Sequence, residues 1–394
     1  MNLIFFEAEQ RNCLLPLCYT RPVALLRTGI LTIAEKWEMR LQLTASYKTE
    51  AYLKEKFPAK YAGDNLLVLA HVCPTNALAA EVQKLQLNQG LKWHGLPVAI
   101  RLNEAGAKAY PDGSQMINWI EFDGKLDFVR YTWDLNEISA NQFLLDFELL
   151  TRGRKSGKLS KTNQVLAPEN VFVEEGAVVE FATINASKGP VYIGKGAEVQ
   201  EGSLIRGPFA MGNHSVVNMG AKIYGPVSLG PHCKVGGELS HSILIGYSNK
   251  GHDGFLGHSV LGEWCNLGAG TNVSNLKNSY DKVKVWNYPD NKFVRTGLQF
   301  CGLIMGDHSK AGINTMFNTG TVVGVGCNIH GAGFPRQFVP SFSDGGAHGY
   351  KVHTLKTVFG TAAQVMARRG TVLTDSDQRI LTSVFDQTED YRRF

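Results

Sequence analysis

The sequence predicts two domains of different class. An α/β domain spans residues 1–155, an all-β solenoid of six-residue repeats spans residues 160–335, and a helical extension follows at residues 336–394. Three observations carry this reading. An apolar residue recurs at every sixth position, without a miss, at Ile193, Val199, Ile205, Met211, Val217, Ile223, Leu229 and Val235. Before residue 150 that period is absent, and short apolar runs alternate with helix-like stretches. After Phe334 a helical spacing takes over.

With 44% of residues apolar, eight consecutive hits in one register arise by chance about once in 700 tries. The register returns at Leu261, Leu267 and Val273, and again at Met305, Ala311, Phe317, Val323 and Ile329. A period of six is neither helical nor a simple alternation. It fits a three-sided prism in which each hexad forms one flat side and its apolar residue points inward. Gly and Asn near the corners supply the φ > 0 that sharp turns need. An ordinary β-sandwich would need this spacing to be accidental. No coil buries its inner face alone, so stacking supplies nearly all the stability. Two stretches depart from the period. Residues 237–260 contain Gly246-Tyr247-Ser248-Asn249-Lys250-Gly251-His252-Asp253-Gly254-Phe255, and residues 275–303 contain Lys277, Lys282, Lys284, Lys292 and Arg295. Both are expected as loops thrown out of the solenoid, where binding and catalysis concentrate.

In the first domain, residues 66–70 and 96–100 read as buried strands, and residues 76–87 and 135–150 as helices. This alternation defines the α/β class. Arg152-Gly153-Arg154-Lys155-Ser156-Gly157-Lys158 reads as a basic linker. Residues 355–369 read as a helix. Thr374-Asp375-Ser376-Asp377 reads as an N-cap opening a second helix toward Phe385. Both helices are expected to cap the open end of the solenoid.

The net charge of +5 is mild and no basic run stands out, which argues against nucleic acid as a partner. Seven cysteines without a CxxC pair do not make a disulfide framework and read as buried thiols. The opening residues lack a signal-peptide pattern and no apolar run reaches membrane-spanning length, so a cytoplasmic protein without membrane partners is expected.

The stretch His252-Asp253-Gly254-Phe255-Leu256-Gly257-His258 and onward through Asn266-Leu267-Gly268-Ala269-Gly270-Thr271 is similar to the acetyltransferase half of the bifunctional enzymes that make UDP-N-acetylglucosamine. The likeness continues through Asn275, Lys282-Val283-Lys284-Val285 and Gly306-Asp307-His308-Ser309-Lys310. In the first domain, Leu15-Pro16-Leu17-Cys18-Tyr19-Thr20-Arg21-Pro22, Leu25-Leu26-Arg27-Thr28-Gly29 and Trp133-Asp134-Leu135 resemble sugar-phosphate nucleotidyltransferases. Together they look like a divergent bacterial branch of that bifunctional family. The resemblance implies a nucleotidyltransferase-like first domain, a left-handed parallel β-helix and a homotrimer. Its small-molecule partners would be a sugar phosphate and a nucleotide, with acetyl-CoA as cosubstrate. UTP or another nucleoside triphosphate with Mg²⁺ would serve the first domain, its metal ligands being undefined in the sequence.

The sequence also departs from that family. Glu7-Ala8-Glu9-Gln10-Arg11-Asn12 stands where a Gly-rich phosphate loop is expected, Val23 replaces a lysine, and His71-Val72-Cys73-Pro74 occupies the place of a metal-binding aspartate. Arg11, Arg21 and Lys36 are the nucleotide-binding residues this leaves. In the second half, Tyr224 takes the place of a phosphate-gripping arginine, Ser240 or His241 that of a lysine, and Phe255 that of a tyrosine.

Acetylating an amine requires a base as the C–N bond forms, and an imidazole titrates in the right range. The resemblance gives this role to His252. It assigns Asn266, Asn275, Phe255, Tyr224 and Lys284 to the sugar substrate, and Ala269, Gly270, Asp307 and Lys310 to CoA. As residues alone, Asn at coil corners and exposed Lys are equally ordinary structural features. Two other readings stay open. A non-catalytic nucleotide-sugar binding or regulatory protein would fit the altered first domain. A zinc hydratase of the γ-carbonic-anhydrase kind would draw on His214, His232, His241, His252 and His258, although none of these pairs has its His-x4-His spacing.

Overall fold

The six-residue period resolves into coils of three short parallel strands, seen in a computed structural model that describes residues 1–112 and 115–394. The first face stacks nine strands, from Val171–Val173 and Val191–Ile193 to Phe338–Val339. The second runs from Val178–Val179 through Lys234–Val235, Asn249–Lys250, Asn266–Leu267 and Lys310–Ala311 to Ser343–Gly346. The third runs from Gln164–Leu166 to Phe255–Gly257, and Asn272–Val273 then pairs with Met316–Phe317. The residues at the hexad positions form one continuous buried cluster. Ile193 registers on Met211 and Met211 on Leu229, while Val199 registers on Val217 and Val217 on Val235.

One of the two expected interruptions is not a loop. Residues 238–257 stay in the coils, with Leu239, Leu244 and Leu256 pointing into the buried cluster. The period is hidden because three corners are short and because the inward position on the second face is Lys250. The other stretch does leave the prism, and carries the antiparallel hairpin Lys284–Asn287 with Lys292–Arg295.

The helices are α1 (Ile33–Leu41), α2 (Asn76–Lys84), α3 (Glu104–Ala109), α4 (Asp134–Glu137), α5 (Ser139–Thr151), α6 (Leu355–Ala367) and α7 (Asp375–Gln387). Thr374 and Asp377 form the expected capping box of α7. The C-terminal helices do more than cap. Phe385 meets Phe342 at the last coil, but α6 also runs back along the second face. Val358 stands beside Gly326, and Arg369, just past the helix end, donates to Asn249 Oδ1 at 3.2 Å.

The chain forms two compact units. Unit 1 comprises residues 1–14, 21–26 and 31–134, and unit 2 comprises residues 15–20, 27–30 and 135–394. Unit 1 is a mixed six-stranded sheet in the order Ala45–Lys48, Asn2–Phe6, Asn65–Leu69, Leu96–Leu102, Gln89–Trp93, Asn118–Glu121. Its central strand Asn65–Leu69 is buried throughout, as a strand with both faces covered must be.

The division departs from the boundary near residue 155 that composition suggested, because α5 and two short early segments join the solenoid. In unit 2, Thr28 Oγ1 donates to Leu135 O at 2.8 Å, Ile30 N to Asp146 Oδ2 at 2.9 Å and Arg27 Nε to Ile245 O at 3.3 Å. These buried hydrogen bonds leave no periodic trace in the sequence.

All seven cysteines are free and six are buried. No helix among the described residues is long and apolar enough to cross a membrane.

Phe209 is 0% exposed on the first face. Phe209→Ala should cost about 3–5 kcal/mol of unit 2 stability by leaving a cavity. Denaturant titration followed by a probe in the solenoid should show its transition moving while that of unit 1 stays in place.

Candidate active site

Corners decide what each face of the prism can present. Between the first and second faces, His214, His232, Tyr247, Trp264 and His308 all adopt positive φ, between 52° and 61°. Their rings form a ladder with centroid spacings of 5.1, 5.0, 4.2 and 6.4 Å. Histidine is among the side chains that enter this backbone region more readily. Four of the imidazoles that zinc chemistry would have needed, His214, His232, His241 and His258, are thus corner residues stacked on neighbouring rings. Among the described residues no three or more His, Cys, Asp or Glu side chains gather to hold a metal ion.

A cleft of about 860 Å³ opens over the second face and is closed on its far side by α6. Its lining includes Asn249, Asn266 and Lys310 from successive coils, the Tyr247 and Trp264 steps of the ladder, Gly268 and Ala269 from the next corner, and Lys234, Arg368 and Arg369. His252 stands on its rim and is exposed. Lys310 Nζ donates to Trp264 O at 3.2 Å and to His308 O at 3.4 Å, and burial lowers its pKa.

The corner that carries His252, residues 251–254, has little freedom. Gly254 has φ +116°, and a Cβ there would lie 2.1 Å from Thr271 O. On the opposite side, a Cβ at Gly237 would lie 2.8 Å from His252 O. Asp253 O accepts from Gly270 N at 3.0 Å. Only glycine fits both contacts, so the imidazole projects from a corner clamped between neighbouring coils.

On the other side of that corner lies the third face. Tyr224, Ser240 and Gly257 occupy one register in successive coils. His241 and His258 follow them and stack at 4.5 Å, with Phe300 on the far side of His258 at 4.9 Å. Asn275 Nδ2 donates to His258 Nδ1 at 2.9 Å. The side chains of Phe255 and Asn275 both crowd against Gly257. Burial, then the neighbouring His241, pulls His258 down to about 4, and burial lowers His241 as well.

The sequence expectations therefore separate into groups. His252, Asn266, Ala269 and Lys310 line one cleft, and Gly270 adjoins it in the same corner. Tyr224, Phe255 and Asn275 assemble on the third face. Asp307 is a correction. It is 3% exposed, and its carboxylate accepts from Glu263 N at 2.8 Å and Thr20 Oγ1 at 2.6 Å, so it ties residues 15–20 to the coils instead of facing a ligand. Lys284, expected at the sugar, lies exposed on the hairpin and is not among the residues lining the second-face cleft. Lys234, Tyr247, Trp264, Arg368 and Arg369 were missed, because a solenoid repeat does not reveal which outward side chains a distant helix will cover.

Unit 1 has its own cleft of about 400 Å³, lined by Phe6, Glu7, Ala8, Glu9, Gln10, Lys48, Leu69, Leu96, Pro97, Tyr110 and Pro111. The segment standing in for a Gly-rich loop does reach it. Arg11, Arg21 and Lys36 do not line it and are buried at 4%, 5% and 0% exposure. Arg11 pairs with Glu7 at 3.3 Å and donates to Tyr52 at 3.2 Å. Glu7 also accepts from Val23 N at 2.7 Å and from Thr49 Oγ1, and its burial raises its pKa. Lys48, which sequence reading passed over, donates to Lys108 O at 2.8 Å and to Tyr110 O, holding the end of α3 beside the cleft.

His258 is held neutral, so the stability it supports is complete above the ordinary histidine value of about 6.5 and is lost as pH falls through about 4, and burial lowers His241 in the same direction. Ring-proton NMR should find His258 uncharged at about pH 5.5, a point well inside that window. A midpoint near the ordinary value would overturn the assignment.

Residues 3–155 match a family model described as sugar nucleotidyl transferase. A bifunctional sugar-1-phosphate nucleotidylyltransferase/acetyltransferase of Sulfurisphaera tokodaii is 34% identical over 145 residues, 36% of each chain. A bifunctional protein GlmU of Methanococcus maripaludis is 32% identical over 255 residues, 64% of this chain and 55% of that one. A second, of Methanocaldococcus jannaschii, is 35% identical over 92 residues, 23% of this chain and 22% of its own. These matches thus span between about a fifth and just over half of the relatives' own lengths. An Arabidopsis UDP-N-acetylglucosamine acyltransferase structure covers 60% of this chain and 99% of that one, at 16% identity and a TM-score of 0.25. That likeness is too weak to bear on chemistry. The chain is similar to the sugar nucleotidyl transferases over residues 3–155, and to proteins named bifunctional nucleotidylyltransferase/acetyltransferases over part of its length.

Proposed function

We propose that unit 2 transfers an acetyl group from acetyl-CoA to the amine of an amino-sugar phosphate, with His252 as the proton acceptor. The observation that carries this reading is the position of His252 at a clamped corner. The second-face cleft lies on one side of it and the Tyr224–Phe255–Asn275 surface on the other. Lys234, Arg368 and Arg369 suit the phosphates of CoA, and Gly268 and Ala269 let its arm approach the backbone. Asn266 offers both donors and acceptors. The third face would take the sugar.

The step balances within these groups. The neutral amine attacks the thioester carbonyl, the C–N bond forms and the amine proton passes to His252. The C–S bond breaks as the tetrahedral intermediate collapses, and the leaving thiolate takes the proton back from His252, which returns to its starting form. The products are an amide and the CoA thiol.

For unit 1 we propose binding of a nucleotide and transfer of its nucleotidyl group to a sugar 1-phosphate in the 400 Å³ cleft. The family match over residues 3–155 and the names of the relatives support this. The carboxylates there do not make a convincing Mg²⁺ site. Glu7 is already committed to Val23, Thr49 and Arg11, which leaves Glu9, so we route no step through a metal. A cytoplasmic homotrimer is the assembly we propose from the resemblance of the solenoid loops.

A paired assay tests both halves. One arm supplies glucosamine 1-phosphate with acetyl-CoA and follows thiol release. The other supplies UTP with N-acetylglucosamine 1-phosphate and follows pyrophosphate. His252→Ala should lower thiol release by roughly 10²-fold or more while pyrophosphate formation is unchanged. Unimpaired thiol release would remove His252 from its role. A silent pyrophosphate arm would favour the binding-only reading of unit 1.

A further inference from the structure

Lys250 occupies a position where the repeat calls for an apolar side chain. Its inward column on the second face runs Val199, Val217, Val235, Lys250, and then Leu267, Ala311 and Ile329. Lys250 is 0% exposed in that column. An ammonium group in an apolar lumen is costly unless its N–H bonds find acceptors. The acceptors here are backbone carbonyls. Nζ donates to Gly236 O at 3.2 Å and to His252 O. Burial lowers its pKa to about 8, against the opposing influence of Asp253.

Neighbouring coils show what the lysine replaces. At this corner Ser203 Oγ donates to Asn218 O at 3.1 Å, and Thr271 Oγ1 to Gly312 O at 3.4 Å. Each hydroxyl satisfies the corner carbonyl of the following coil from inside. Between them the same register holds Ala221, Gly237 and Gly254, which have no hydroxyl. Gly254 has no room for one, because Thr271 O fills the space where its Cβ would stand. Lys250 supplies the missing donors from the lumen. It reaches back to Gly236 O, the carbonyl a hydroxyl at position 221 would have met, and forward to His252 O.

A methionine would fill the column at lower desolvation cost, so packing alone does not explain a lysine. We propose that Lys250 is a positioning residue for His252. From inside the prism it holds the His252 carbonyl, fixes the peptide planes of the corner, and so aims the imidazole at the cleft. This inference rests on the reading of His252 as proton acceptor.

The test uses the full chain. Lys250→Met keeps the side chain unbranched, one atom shorter, and removes its donors. It should lower kcat for thiol release by about 10-fold or more while KM for acetyl-CoA stays within about twofold, since a misaimed base costs rate and not binding. Its thermal midpoint should not fall. Lys250→Gln, which returns N–H donors one bond short, should recover part of the lost kcat.

A kcat for Lys250→Met within about twofold of the parent, in a preparation where His252→Ala is inactive, would overturn the proposal. Should His252→Ala prove fully active, the general-base reading is what has failed. The ring-proton resonance of His252 then decides about Lys250 by itself. A shift in Lys250→Met supports positioning, and an unchanged spectrum overturns it.

Discussion

Everything in unit 2 depends on the close separation of stacked coils, about 4.8 Å in any β-ladder. At that distance the backbone of one coil dictates which side chains the next can carry. A Cβ at Gly230 would lie 1.7 Å from Ile245 O, and one at Gly194 would lie 2.7 Å from Gly212 C. Glycine at these corners is therefore a condition of stacking more than a source of flexibility. The constraint also explains why His252 can be held so firmly on an exposed corner. Its neighbours in the coils on either side leave the backbone one path.

What could be read from the sequence follows from the same constraint. Inward positions must be apolar and repeat at fixed intervals, so residues 193–235 declared themselves. The stretch after Val235 reads as a loop because three corners lose residues and Lys250 breaks the inward pattern while the coils continue. The split between units was illegible for a different reason. Arg27, Thr28 and Ile30 join α5 and the coils through hydrogen bonds to single carbonyl and carboxylate groups, and such contacts have no period. The imidazoles at corners were legible as histidines but not as corner residues. Positive φ at His214 or His258 depends on the coil in which each sits.

The candidate site divides along similar lines. His252, Asn266, Ala269 and Lys310 were found from local motifs, and consecutive coils bring them to one cleft. Arg368 and Arg369, just past the end of α6, lie far along the chain from all four. They reach the cleft because the chain turns back after the last coil and lays Val358 to Arg369 along the second face. Nothing in the helical pattern of residues 355–369 states that direction. In unit 1 the basic residues chosen from the sequence are buried and do not line the cleft, and Arg11 is taken up by Glu7 and Tyr52 in building the segment that replaces a glycine loop.

The two faces that meet at His252 offer different chemistry, and the difference bears on the proposed reaction. The second face and α6 gather Lys234, Lys310, Arg368 and Arg369, a surface for an anionic cosubstrate. The third face offers a phenol, an amide, aromatic rings and two imidazoles whose pKa values burial lowers, together with the charged side chains Arg206, Lys222 and Glu238 in the same registers. An amine reacts with a thioester only in its neutral form. A carboxylate beside it would stabilise the ammonium, whereas desolvation against uncharged groups favours the free base. On the third face Glu238 therefore favours the ammonium while the buried imidazoles and rings favour the free base, and the cations around the second-face cleft serve the donor, so the two substrates meet at the corner where the proton has to move.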